Sequence, residues 1–87
     1  MTKSVFSDRY RVFLRHIVEA RHAAKLTQVE LAARLGKPQS YVSKAENGEW
    51  RLDFVEFVEL ARAIGVDELD LTRAIVFDTA FAHDVPV

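Results

Sequence analysis

The chain has 87 residues, 49% of them hydrophobic and 10% aromatic, and a net charge of −1. This supplies enough apolar side chain for one small all-helical domain over residues 1–87, which buries only somewhat over half of its unfolded surface and has a modest stability margin. The lack of cysteine excludes disulfides and thiolate chemistry, and two prolines and three glycines, all at expected helix boundaries, speak against disorder and against a β-rich fold.

The first helix is expected from about Asp8 to Lys25, with Ser7 as its cap. Tyr10, Phe13, Ile17, Ala20, Arg21 and Ala24 recur at three- and four-residue spacing and form one buried stripe. The next segment, LTQVELAARLGKPQSYVSKAENG, encodes two short helices and a tight turn. Thr27 caps the first of them and Glu30, three residues on, completes a capping box, with Leu26 and Leu31 spaced as a hydrophobic staple. Gly36 ends that helix in a left-handed conformation. The following helix spans about 38–47: it opens at Pro38 and Gln39, where a missing N–H does no harm, and stops at Asn47-Gly48. A loop through Trp50 leads to Asp53, which with Glu56 caps a fourth helix. Its buried face is Phe54, Phe57, Val58, Leu60, Ala61 and Ile64, and Gly65 closes it. A fifth helix covers about 67–82, with Asp67 and Glu68 in a first turn whose dipole favours them; the tail from His83 onward is expected to fray.

Charge is distributed unevenly along this order. Residues 1–51 hold ten basic against five acidic side chains, a net of +5, whereas residues 52–87 hold two basic against eight acidic, a net of −6. Such a chain can present a positive face to phosphates and keep its negative face away, although solvation alone would also account for charged helix surfaces. His16, His22 and His83 show no ligand spacing, so neither a metal nor a cofactor is expected. No apolar run approaches the roughly 20 residues of a membrane span, and charges at Lys3, Asp8, Arg9, Arg11 and Arg15 leave no signal-peptide core; the expected compartment is the cytoplasm. There is no glycine-rich phosphate loop and no histidine in register with a nucleophile and an orienting acid, so an enzyme is not expected.

Ala20-Arg21, LTQVELAARLG, SYVSKAENG and LARAIGV, in that order and spacing, resemble the phage-repressor-like (Cro/repressor, XRE) helix–turn–helix domain over about Phe13 to Leu71. The resemblance implies a compact five-helix bundle of the lambda-repressor-like type, here with a C-terminal helical extension. It also implies binding to double-stranded DNA as a symmetric homodimer on an inverted repeat, with the third helix in the major groove. The residue types agree: Val42 and Ala45 turn one side of that helix inward, and Gln39, Ser40, Ser43 and Lys44 share the other. Gln suits adenine, Lys suits guanine and Ser suits either, so Gln39, Ser40 and Lys44 are the expected base contacts and Ser43 a weaker one. In the family, the glutamine matching Gln28 meets a backbone phosphate and braces the one matching Gln39. Lys37, Asn47 and Arg51 are further expected phosphate contacts, and Tyr41 is balanced between half-core packing and the DNA backbone. The residues matching Arg21 and Glu46 form a structural ion pair in the family, consistent with an arginine on a buried stripe that needs a partner.

Two features stand outside the pattern. Trp50 either plugs the gap between the third and fourth helices or touches the DNA backbone or a partner subunit. In the C-terminal extension, Leu69, Leu71, Ala74, Ile75, Val76, Phe77, Ala80 and Phe81 spread too widely for one helix side. They are expected to carry the homodimer interface, with Leu71, Ile75, Phe77 and Phe81 at its centre; the competing arrangement folds the extension back over Phe6 and Tyr10. The leading function is a sequence-specific transcriptional regulator, a homodimeric repressor. The alternative is an antitoxin or other protein-binding module that uses the extension, with DNA binding secondary.

Overall fold

In the computed structural model, residues 7–82 are described, and among them the secondary structure is entirely helical. The order is α1 (Asp8–Ala23), α2 (Gln28–Leu35), α3 (Gln39–Glu46), α4 (Phe54–Ile64), α5 (Glu68–Val76) and α6 (Thr79–Ala82). Phe6 and the tail 83–87 lie outside the described residues.

The cap chemistry operates as the local sequence predicts. The Ser7 hydroxyl accepts from the Tyr10 amide at the start of α1. Capping boxes close the starts of α2 (Thr27 with Glu30) and α4 (Asp53 with Glu56). The Thr27 amide and hydroxyl, both bonded to Glu30, hold that carboxyl below its usual range. Gly36 ends α2 at φ 67° and Gly65 ends α4 at φ 98°; a Cβ at either would meet open space, so the cost of replacement lies in the backbone conformation itself. α1 stops two residues before the expected Lys25, because Lys25 itself adopts a left-handed φ of 60° and turns the chain toward α2.

The core has two clusters. One gathers Ile17, Phe57, Ala61, Leu71 and Ile75; the other gathers Leu31, Ala32, Val42, Leu60 and Ile64. Ala20, Leu52 and Val66 pack against both and join them. Leu26 and Leu31, the two staple positions, are both buried. The expected stripe on α1 holds at Tyr10, Ile17 and Arg21, but Ala24 is exposed and Val12 and Leu14 are buried. The buried arc is wider because α1 touches α3, α4, α5 and α6, leaving little of its circumference free.

The expected fifth helix is interrupted. α5 ends at Val76, and Asp78 starts the separate turn α6, where its Oδ1 accepts from the Ala80 amide at 2.8 Å. The other oxygen, Oδ2, lies 2.8 Å from both Arg15 Nη2 and His16 Nε2 of α1. These partners, Arg15 first, then His16 and the Ala80 amide, lower the Asp78 carboxyl to about 2. The chain therefore folds back onto α1, where Arg9 Nε donates to the Phe81 carbonyl at 3.0 Å. Leu71 and Ile75, expected at a dimer interface, are instead in the protomer core, and Phe81 packs against the same cluster. Their side chains are consumed by intramolecular packing; Phe77, 76% exposed, with Leu69 and Val76, remains on the surface.

Candidate nucleic-acid interface

The turn between α2 and α3 is built from backbone bonds: Gly36 and Lys37 donate to the carbonyls of Ala33 and Ala32, and the Pro38 carbonyl accepts from Tyr41. Pro38 precedes α3 with extended backbone and no side-chain cap, so the first amides of α3 are left to other partners. Val42 and Ala45 anchor the inner side of α3. Gln39, Ser40 and Lys44 are exposed on the outer side, with Ser43 half-buried beside them.

A single polar chain runs from the core to this surface. Arg21 is 7% exposed and grips Glu46 with two bonds, Nε to Oε2 at 2.6 Å and Nη2 to Oε1 at 2.9 Å. Its third direction is used by Nη1, which donates to the Leu26 carbonyl at 2.9 Å. Glu46 Oε1 also accepts from Gln28 Nε2 at 2.9 Å, and Gln28 Oε1 accepts from Gln39 Nε2 at 2.8 Å. The ion pair and the glutamine pair, distinct expectations at the level of sequence, are thus one network joining α1, α2 and α3. Its consequence for Gln39 is chemical: one N–H is committed inward, while the second N–H and Oε1 remain, the pair of groups that matches adenine N7 and N6.

The remaining expected contacts are placed less uniformly. Lys37 Nζ sits 5.1 Å from the centre of the Tyr41 ring, and Trp50 stacks obliquely on the other aromatic neighbour at 5.1 Å from Tyr41. Burial, chiefly, and then the carboxylates Glu56, Glu59 and Asp53 push the Tyr41 phenol upward, so this ring is part of the packing between α3 and α4. Asn47 is exposed at the end of α3. Arg51 is also exposed, but its guanidinium lies 4.4 Å over the Tyr10 ring rather than beside Gln39 and Lys44. Tyr10 in turn accepts the Leu52 amide at 2.9 Å and ties the loop after α3 to α1. Neither this tie nor the Asp78 pairing has a signal in local spacing, since the partners are 42 and more than 60 residues apart. Among the described residues no cluster of three His, Asp or Glu could hold a metal, and no helix is long and apolar enough to cross a membrane.

Comparison with known proteins agrees with this geometry. The helix–turn–helix family model matches residues 17–71. Among solved structures, the chain is similar to an XRE-family like protein from Pseudomonas syringae pv. tomato, with 54% identity, 77% of this chain and 82% of that one covered, and a TM-score of 0.74. No curated protein matches. The chain therefore belongs to the XRE-type helix–turn–helix family, whose fold is that of DNA-binding transcription regulators.

Proposed function

We propose that the protein is a cytoplasmic, sequence-specific regulator, a homodimeric repressor that reads an inverted-repeat operator with α3. The observation that carries this is the Gln39 amide, held by Gln28 at the exposed start of α3 with its remaining donor and acceptor directed away from the core network. Gln39, Ser40 and Lys44 would read base edges, Ser43 less directly; each well-formed contact is worth about 1–3 kcal/mol of discrimination. Gln28, Lys37, Asn47 and Arg51, with Tyr41, would meet phosphates and set register without reading sequence. Arg21 and Glu46 would act beneath this surface by holding Gln28. The two-fold contact is assigned to the part of the extension that stays exposed, centred on Phe77 with Leu69 and Val76.

Selection of tight-binding sequences from random duplex DNA tests the proposal. The expected product is an inverted repeat with half-sites separated by about one helical turn; enrichment of no repeat would overturn it. Sedimentation at micromolar concentration is expected to show a dimer, and a monomer both alone and on the selected DNA would remove the two-fold arrangement. The same exposed Phe77 surface also suits a protein-binding role of the antitoxin kind. A stable stoichiometric complex with a small unrelated protein that blocks self-association would favour that second function.

A further inference from the structure

An open groove of about 420 Å³ lies between α1, the loop after α3, α4 and the α5–α6 end. This volume is in the range of small-ligand sites. Phe13, Phe57 and Ile75 form its apolar base, Tyr10 and Phe81 its sides, and Phe54, 75% exposed, its lip. Two guanidinium groups stand against these rings: Arg51 over Tyr10 at 4.4 Å and Arg9 at 6.0 Å from the centre of Phe81. The single acidic residue in the lining is Asp53, and its carboxylate is engaged as the cap of α4, accepting from the Glu56 amide at 2.7 Å. The groove thus combines aromatic surface with two cations and one committed anion.

We infer that this groove binds an amphipathic monoanion, a small carboxylate with an aromatic or branched apolar body, and that its occupancy weakens DNA binding. The body replaces water on the aromatic base, and the carboxylate takes charge-assisted bonds from the arginines at the rim. Coupling follows from the connections of the groove wall. Tyr10 holds the Leu52 amide and lies under Arg51, so the loop leaving α3 is part of the site. A carboxylate paired with Arg51 withdraws that cation from a phosphate. This coupling rests on the function proposed above; the binding itself does not.

Titrating phenylbutyrate into isotope-labelled protein, with the uncharged phenylbutanol in parallel, separates the two. Saturable shifts at the amides of Leu52, Phe54 and Thr72 are expected, with a Kd on the order of 1 mM for a ligand of this size. The alcohol is expected to bind about tenfold more weakly, the worth of one charge-assisted contact. Arg9→Gln and Phe54→Ala should each weaken the acid while preserving the fold and the operator affinity measured without it. No saturable shift, equal binding of acid and alcohol, or shifts elsewhere would overturn the site. Saturating acid that leaves operator affinity unchanged would overturn the regulatory role. Failure to bind any DNA would refute the proposed function, and the titration of free protein would still decide the site.

Discussion

Residues 27–48 and residues 67–82 both announce themselves as amphipathic helix, yet they are stabilised in different ways. In the first stretch each helix boundary depends on a residue within it: Thr27 and Glu30 open α2, Gly36 closes it, and Pro38 precedes α3. In the second, Asp67 starts α5 by accepting from the Leu69 and Asp70 amides, but its end is governed from far away. Asp78 stops the helix while held by Arg15 and His16 of α1. Helix periodicity reports which side chains are apolar, and it is blind to a polar residue sixty positions off that redirects the chain. The contrast teaches that local signals suffice for the helix pair, whereas the extension takes its path from tertiary partners.

Substitutions can break each side of this comparison. The largest effect is expected from Glu46→Ala, which tests how far the helix pair depends on something beyond local signals. It leaves the buried Arg21 guanidinium without its carboxylate and should cost about 3–5 kcal/mol; an unchanged denaturation midpoint would show that the network does not hold the fold. Next, Gln39→Ala should remove about 1–3 kcal/mol of discrimination between preferred and altered operators in competition binding. Arg51→Ala should instead weaken all sequences alike and reduce the salt slope by about one. Loss of preference from Arg51→Ala would contradict the division between reading and positioning residues.

Thr27→Ala, which removes one half of a local capping box, should cost about 1 kcal/mol, or about 4–8 °C in melting temperature. The mildest change at neutral pH is expected from Asp78→Asn. Its consequence appears in acid. The folded carboxyl sits at about 2, below its ordinary value of 3.8, so ionised Asp78 favours the folded state. That contribution is complete above the ordinary value and disappears as pH falls through about 2. Acid unfolding of the asparagine variant should accordingly show a shallower dependence across this window; an identical profile would mean that the Arg15–Asp78–His16 contact does not secure the extension.

Much of the fold was legible because its signals are short-range. Ser7, Thr27, Asp53 and Asp67 each sit at a helix start and bond to amides two or three residues on. The polar face of α3 was legible for the same reason, since Val42 and Ala45 define its inner side by spacing alone. The connection of Gln28 to Glu46 was not, because it crosses between helices and depends on how α2 packs against α3. Val12 and Leu14 escaped the stripe on α1 because four other helices pack around that helix. The partition of the extension was likewise hidden: Leu71 and Ile75 turn inward and Phe77 outward, a choice made by the break at Asp78.

By itself the sequence determined an all-helical chain of the XRE type, the ends of its central helices and the side chains on the outer face of α3. Those follow from hydrogen bonds and periodicities within three or four residues. Tertiary structure alone decided that one polar chain runs from Arg21 to Gln39, that Arg51 lies on Tyr10, and that the C-terminal segment turns back onto α1. Each of these depends on groups brought together across the chain, where burial and charge select partners that no local pattern encodes.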